Sequence, residues 1–352
     1  MTLVDRIVLK RLGSRILLAV AVIFGILILA ESLNVWRFEH LARAGGPLLG
    51  LFGIVTSATR WSLGVLPVTL LIGAIIGLLD LQARREMTVI KSTGRSIWSV
   101  LRAPAIAVVF VALGASLLLD TMVVLANRAL NVSLPQSGST GTLWLEQSRD
   151  GVDYVLYSLH PRPAEGLLED VTVFITNSAT GERIHAKSVQ LEDGAWFFPE
   201  AIRFRPDSAP ELVRELRLAT FTTAADLGVK FANTDDLTIF EAFGALSSRV
   251  SDVQLRNKLA MRVAELVASP LVLVGSLLIA FAFTAGYRRT NKYGAAVLYG
   301  VVLGFVVYVT QEMASMAGGA GVLNPGFAAA GPAVVAIVIG VTVLLHKEDG
   351  QA

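Results

Sequence analysis

Long uncharged apolar stretches alternate with short charged segments along this chain. A helix needs about 20 mostly apolar residues to cross a hydrocarbon core of about 30 Å. Stretches that contain no Lys, Arg, Asp or Glu and approach this length are residues 63–79, 103–119, 266–287, 293–311 and 322–345. A sixth stretch, residues 16–30, reaches spanning length if its helix extends to residues 12 and 33. The pattern predicts six transmembrane helices, three on each side of a long central segment.

The distribution of basic residues predicts the orientation of these helices. Thirteen Lys and Arg residues lie in the N-terminal flank, in the loops after the second and fourth helices and in the C-terminal tail, against three in the opposite short loops. Short loops rich in Lys and Arg stay in the cytoplasm. Both termini are therefore predicted to be cytoplasmic, and the central segment is predicted to lie on the far side of the membrane.

The central segment, residues 131–250, has the pattern of a β domain. Short β-branched or alternating runs recur, and the runs 183–191 and 195–204 flank a hairpin-type turn, Glu192-Asp193-Gly194. Several short strands with turn signals favour a sandwich or jelly roll. From residue 236 the apolar spacing becomes helical, which predicts a helical bridge to the fourth span. The predicted domains are residues 1–130 (helices 1–3), 131–250 (β domain) and 251–352 (helices 4–6).

Composition narrows the class of protein. Of 352 residues, 54% are hydrophobic and 16% are charged, and the mean hydropathy is +0.63. A soluble domain carries roughly 25% charged residues, so these values exclude a soluble enzyme, a disordered protein and a nucleic-acid binder. There is no cysteine, which excludes disulfides, thiolate metal sites and cysteine nucleophiles.

Catalytic motifs are not found in the sequence. It contains neither a GxxxxGK[ST] phosphate loop nor an HExxH zinc motif, and its four histidines have no metal-ligand spacing. A Ser-His-Asp site assembled from distant residues finds no support in the pattern. We therefore expect a non-enzymatic chain that binds no cofactor or metal.

The loop after the second span carries the first candidate site. Residues 84–94 predict a short helix with Glu86 near its N-terminus, Met87 and Ile90 on one face, and Gly94 as its stop. Such a helix is suited to docking on a partner. The alternative is a positively charged interfacial loop that only fixes the topology.

Basic residues at the predicted outer face form the second candidate site. They run against the positive-inside trend, and they are Arg37, Arg43, Arg60, Arg128, Arg256, Lys258 and Arg262. A lipid with phosphate groups explains them, because Arg offers bidentate hydrogen bonds to phosphate. Anchoring to ordinary headgroups or local ion pairs is the alternative.

A series of short motifs occurs in order along the chain. They are Asp5-Arg6, Leu66-Pro67 followed by Gly73 and Gly77, Arg85-Glu86 to Gly94, Leu143-Trp144, Pro270-Leu271, and Gly304-Phe305 with Tyr308. In this order and spacing, on the plan of three helices, a β domain and three helices, they resemble the LptF/LptG family of lipopolysaccharide export permeases, and the resemblance covers most of the chain. The Asp5-Arg6 opening is more similar to LptG than to LptF.

This resemblance implies a fold, a function and partners. The fold is an α-helical membrane protein with six transmembrane helices and an inserted periplasmic, all-β, jelly-roll-like domain. The chain would be the permease subunit of an ABC-type transporter in the bacterial inner membrane, which extracts lipopolysaccharide and passes it to a periplasmic bridge. Its implied partners are two copies of an LptB-type ATPase, which uses the ATP, a sister LptF-type permease and an LptC-like bridge component, with no nucleic acid.

Residue roles are also carried over from the resemblance. Residues 84–97 would be the coupling helix that sits in a groove of the ATPase, with Glu86 as the coupling glutamate. The expected coupling residues are Glu86, Arg85, Met87, Ile90 and Gly94, and the expected lipopolysaccharide-binding residues are Arg37, Arg43, Arg60 and Arg128. Trp36 stands where LptG can carry a lysine, so the lipid contact there is expected to shift to Arg37.

Two other functions are compatible with the pattern. The chain could be the sister LptF-type subunit of the same complex. It could also be a membrane-anchored sensor or mechanical transmitter, in which the β domain binds a partner and the cytoplasmic loop signals. A lipid permease needs a wide apolar chamber for lipid and a transmitter does not, so this chamber separates a permease from a transmitter.

Overall fold

The computed structural model describes residues 3–92, 94, 96–133, 143–149, 151–162, 167–176, 181–192, 194–206, 208–222, 237–247, 253–285 and 293–349. The chain divides into two compact units. The helical unit comprises Met1–Leu130, Thr238–Phe243 and Asn257–Ala352. The second unit comprises Asn131–Leu237 and Gly244–Arg256, and it contains the β-strands.

The α-helices have the following bounds. They are α1 (Leu3–Ser32), α2 (Val35–Gly45), α3 (Pro47–Gly64), α4 (Leu66–Ala83), α5 (Glu86–Ser92), α6 (Ile97–Gly114), α7 (Asp120–Ser133), α8 (Ile239–Ser247), α9 (Val253–Ala285), α10 (Tyr293–Gly319) and α11 (Pro325–Asp349).

The prediction of six membrane-spanning helices is confirmed for the described residues. The candidate spans are Val4–Ser32, Leu66–Ala83, Ile97–Leu130, Val253–Thr284, Leu298–Gly319 and Pro325–His346. The third and fourth spans extend well beyond the uncharged runs in the sequence. Asp120 ends the third uncharged run, and Glu265 and Arg262 lie just before the fourth. Asp120 and Arg262 pair with each other at 2.6 Å, and both helices continue past these charged residues.

Two helices between the first and second spans were not predicted. α2 and α3 join at Gly46, and only Val65 separates α3 from α4. The buried face of α3 was hard to recognise from the apolar pattern, because it is made of small residues. A methyl group added at Gly50 would lie 2.7 Å from the ring of Phe38 on α2. The two helices therefore pack closely through glycine.

α4 packs against α1 through Gly73 and Gly77. A methyl group at Gly73 would lie 2.7 Å from the Cα of Ile16, and one at Gly77 would lie 2.8 Å from Leu12 Cδ1. Small residues spaced by four positions allow helix backbones to approach in this way. α1 and α4 consequently meet backbone to backbone.

α10 uses its own glycines on another part of α4. A methyl group at Gly300 would lie 2.8 Å from Ile75 Cδ1, and one at Gly304 would lie 3.0 Å from Val68 Cγ1. α4 is thus the helix on which both α1 and α10 pack, and most of its residues are buried.

One turn of the third span is a π-helix. It comprises Ala115–Leu119 and connects α6 to α7 without a break. Ser116 in this turn is buried and lies 2.5 Å from the hydroxyl of Ser269 on α9, whereas Leu118 is exposed. Asp120, the next residue after the turn, is buried and paired with Arg262.

A six-stranded antiparallel sheet forms the β unit, so the prediction of an inserted all-β domain is confirmed. The strands are β1 (Leu143–Arg149), β2 (Val152–Arg162), β3 (Leu167–Ile175), β4 (Arg183–Glu192), β5 (Ala195–Phe204) and β6 (Glu211–Ala219). Their order in the sheet follows the chain from β1 to β6. The predicted hairpin is also confirmed, because β4 and β5 pair across Gly194, whose φ is +74°. A jelly roll exchanges strands between two sheets, and that part of the prediction stays a prediction.

One face of the sheet carries the core of the β unit. Tyr154, Trp196 and Phe198 are its largest fully buried side chains. The hydroxyl of Tyr154 lies 2.8 Å from the carbonyl oxygen of Ala219, so a residue of β2 reaches the end of β6. The sheet is therefore strongly curled around its buried face.

Candidate coupling and lipid sites

The segment after α4 turns sharply before the candidate coupling helix begins. Arg85 has φ +60°, a left-handed conformation that non-glycine residues rarely adopt. α5 starts at the next residue, Glu86, and ends at Ser92. Gly94 has φ +78°, and α6 begins at Ile97 after an N-cap at Ser96. The segment predicted as one helix over residues 84–97 thus contains a short helix and the start of the next.

Glu86 faces the N-terminal part of α1. Its Oε1 atom lies 3.4 Å from Arg11 Nη2, and 29% of its side chain is exposed. Its Oε2 atom is buried and has no hydrogen-bond partner among the described residues. A carboxylate has about four lone-pair sites, so Arg11 leaves much of the acceptor capacity of Glu86 unused.

The apolar face of α5 packs on the chain's own bundle. Ile90 is 8% exposed, and Ile90 and Met87 belong to the hydrophobic cluster that contains Val8 and Leu12 of α1. The sequence interpretation had this face docking on a partner. The structure instead leaves Arg85, Val89 and Ser92 on the outer side, where Val89 is 63% exposed. A seven-residue pattern does not say which side meets the bundle, so the sequence did not indicate that Val89 faces outward.

Asp80, to which the sequence assigned no role, lies in the last turn of α4. Its Oδ2 atom accepts a hydrogen bond from Arg15 Nη2 at 3.1 Å, and its Oδ1 atom accepts one from Arg84 Nε at 3.3 Å. Asp80 therefore joins α1 to the end of α4. A lone acid at the end of an apolar run was the available signal, but its partner Arg15 is distant in sequence.

At the other end of the bundle, two of the predicted lipid-binding residues lie at or against neighbouring positions of α7. Arg37 on α2 donates a hydrogen bond from Nη2 to Asn127 Oδ1 at 3.3 Å. Arg128, the next residue, forms a bidentate ion pair with Glu241 of α8, at 2.7 and 2.6 Å. The structure therefore places Arg37 against the residue that precedes Arg128.

Glu241 also closes the start of α8. Its Oε2 atom accepts hydrogen bonds from the backbone N–H and the hydroxyl of Thr238, while its own N–H donates to Thr238 Oγ1 at 3.3 Å. This reciprocal arrangement is a capping box. The hydrogen bond from Arg128, with those from Thr238, lowers the pKa of Glu241 to about 2 against the opposing effect of burial.

The two remaining predicted lipid-binding residues are Arg43, on α2 like Arg37, and Arg60, on α3. Arg43 on α2 is 75% exposed and pairs with Glu39 of the same helix at 2.9 Å. Arg60 lies on α3 and is half-buried. Arg262, by contrast, is largely buried and committed to Asp120. Within the described residues, no group of three or more His, Asp or Glu side chains lies close enough to hold a metal ion.

A family model identifies the class of this chain. The model of the lipopolysaccharide export system permease LptF/LptG matches residues 6–346, nearly the whole length. The chain belongs to the LptF/LptG family. Among curated proteins, none matches the chain. The resemblance drawn from the motifs is confirmed, and the family model covers LptF and LptG alike.

Membership of the LptF/LptG family establishes the broad function. The chain is a lipopolysaccharide export permease of the Lpt complex, and its six apolar helices make it a multi-pass inner-membrane protein. A transporter permease fits a non-catalytic subunit. The candidate coupling site of this LptF/LptG chain is the α5 segment. Its candidate lipid site is the set of basic residues on α2, α3 and α7.

Proposed function

We propose that this chain is the LptG-type permease subunit of an ABC-type transporter, which extracts lipopolysaccharide from the inner membrane and passes it to a periplasmic bridge. A separate LptB-type ATPase in two copies supplies the energy, and a sister LptF-type permease completes the membrane part. The observation that carries the proposal is the family match over residues 6–346 together with a short helix that begins at Glu86 in the expected loop. The Asp5-Arg6 opening supports LptG over LptF.

Orientation follows from the basic loops. The positive-inside rule puts the end of the bundle that carries α5 in the cytoplasm. The exposed face of α5, made of Arg85, Val89 and Ser92, is then available to a groove of the ATPase. Glu86 lies beside this face with 29% of its side chain exposed, so its carboxylate remains within reach of a donor such as an arginine, which forms strong charge-assisted hydrogen bonds with carboxylates.

Lipid entry is supported by the exposure of two helices. α1 and α10 are the least buried of the six candidate spans, and each exposes large apolar side chains such as Leu18 and Phe305. They correspond to helices 1 and 5, which line lateral gates in this family. Two such subunits facing each other would enclose an apolar chamber for acyl chains, and Arg37, Arg43, Arg60 and Arg128 would meet the phosphates of lipid A.

The test measures ATP hydrolysis and lipopolysaccharide release by this chain in a complex with a candidate ATPase and sister permease. Glu86→Ala is compared with Glu146→Ala, which removes an exposed carboxylate from β1. We expect both variants to assemble, with lipid release lost in Glu86→Ala while ATP hydrolysis persists, and both activities kept in Glu146→Ala. A complex that hydrolyses ATP without moving lipid in any variant would favour the transmitter function.

A further inference from the structure

A ladder of ion pairs ties the candidate coupling segment to α1. Its first rung joins Arg15 of α1 to Asp80 at 3.1 Å, and Asp80 also accepts from Arg84 at 3.3 Å. Its second rung, one helical turn closer to the N-terminus of α1, joins Arg11 to Glu86 at 3.4 Å. Both carboxylates come from the α4–α5 segment, and both arginines facing them come from α1. We call Arg11, Arg15, Asp80 and Glu86 the α1 ladder.

Close backbone packing lies directly beside the first rung. The methyl position at Gly77 is 3.3 Å from the Cβ of Arg15 and 2.8 Å from Leu12 Cδ1. α1 and α4 therefore lie in close contact at this level. Exposed ion pairs add little to stability by themselves. Here they join helices that glycine packing already holds close together.

Apolar contacts complete the attachment beyond the end of α4. Met87 and Ile90 of α5 pack in the same cluster as Val8 and Leu12 of α1. The second rung is the direct link between α5 and α1, and the cluster gives both elements a common apolar environment. The connection of α5 to α4 is the left-handed turn at Arg85. α5 is thus joined to α1 by an ion pair and to α4 by the chain itself.

We infer that α1 is the helix that receives the movement of the coupling segment, and that Arg11 and Arg15 are positioning residues for this transfer. The inference rests on the proposed function, because it requires an ATPase that displaces α5. When α5 moves, the ladder and the shared apolar cluster carry the N-terminal part of α1 with it. A carboxylate at position 86 then serves two contacts, one to the partner and one to Arg11. Coupling to lipid follows because α1 is one of the two exposed spans.

The first test compares Arg15→Gln, Arg15→Lys and Arg102→Gln in the assembled complex. Arg102 is an exposed basic residue near the start of α6, on the same side of the membrane as the ladder, and serves as the matched control. We expect Arg15→Gln to keep ATP hydrolysis while the lipopolysaccharide released per ATP falls about fivefold or more, the usual scale of coupling between sites. Arg15→Lys retains the charge and should restore most of the ratio, and Arg102→Gln should not change it.

The second test needs no ladder variant. Because the chain has no cysteine, Ser14→Cys and Ser92→Cys place one spin label on α1 and one on α5, at exposed positions. The distance between the labels should stay constant between nucleotide-free and ATP-bound complexes, since the two helices move together. A distance that changes with nucleotide, or an unaltered ratio in Arg15→Gln, would overturn the inference. A wild-type complex that releases no lipid with ATP would instead overturn the proposed function.

Discussion

At the scale of single residues, three arginines of the candidate lipid site already have partners within the chain. Arg128 and Arg43 have carboxylate partners, and Arg37 has an amide partner. A lipid phosphate must therefore compete with Glu241 for Arg128 and with Glu39 for Arg43. Resemblance identified these arginines, but Glu241 was not foreseen because it lies far away in the sequence.

The pairing of Glu241 predicts a pH dependence for α8. Its pKa is about 2 in the folded chain and near 4.5 for a free glutamate. The pair therefore stabilises the attachment of α8 fully above about pH 5, and this contribution is lost as the pH falls from there through 2. A spin label at Phe243→Cys, which is exposed, should become more mobile over that range. Glu241→Gln should show the mobile spectrum already at pH 7, and a label that stays immobile in this variant would contradict the role of the pair.

A charge reversal at Arg60 tests whether the candidate lipid site binds lipopolysaccharide. Arg60→Glu reverses a charge on α3 and should weaken binding of lipopolysaccharide, because a phosphate is then repelled instead of being held by a bidentate hydrogen bond. Arg60→Lys keeps the charge and should fall between Arg60→Glu and the wild type. Binding is measured by crosslinking to lipopolysaccharide in the purified complex. Equal crosslinking in all three proteins would exclude Arg60 from the site.

At the scale of elements, α4 is the centre of the helical unit. It receives α1 on Gly73 and Gly77, and it presents Ile75 and Val68 to the glycines of α10. Glycines four residues apart share a helix face and allow close approach, but the sequence did not show which helices meet there. It did not predict α2 and α3, whose contacts depend on which small residues meet, nor did it show that Met87 and Ile90 point inward. Burial of a short apolar face depends on neighbours that are distant in sequence.

Packing at Gly73 leads to a prediction about stability. Gly73→Val would place a branched side chain against the backbone of Ile16, and overpacking of this kind costs about 1–3 kcal/mol. The thermal unfolding temperature of the purified chain should fall accordingly. Gly25→Val, at a position on α1 with open space around it, should leave the unfolding temperature nearly unchanged. Equal effects of both substitutions would mean that close packing at Gly73 is unimportant for stability.

At the scale of the whole molecule, the sequence predicted the plan more completely than the sites. Uncharged runs identified the six spans, since few other segments can be buried in lipid, and alternating β-branched runs identified the inserted sheet. The exact ends of the third and fourth spans escaped prediction because the charged residues Asp120, Glu265 and Arg262 look like membrane boundaries, and the pairing of Asp120 with Arg262 could not be foreseen.

The exposure of α10 predicts where lipid passes. A photoreactive amino acid at Phe305, an exposed residue of α10, should crosslink to lipopolysaccharide during transport. The same probe at Val338, which is exposed on α11, should crosslink mainly to phospholipid. Crosslinks are identified by mass spectrometry of the labelled complex. Equal capture of lipopolysaccharide at the two positions would mean that α10 has no special part in the lipid path.

The π-helical turn at Ala115–Leu119 changes the direction in which the rest of this helix presents its side chains. Such a turn corresponds to one extra residue in an otherwise regular α-helix, and one residue amounts to about 100° of rotation. Everything after the turn is therefore rotated relative to an uninterrupted helix, so that Asp120 reaches Arg262 while Leu118 stays exposed. Deleting one leucine from this turn would turn the carboxylate away from its partner, so a relative lacking that residue should also lack the acid at this position.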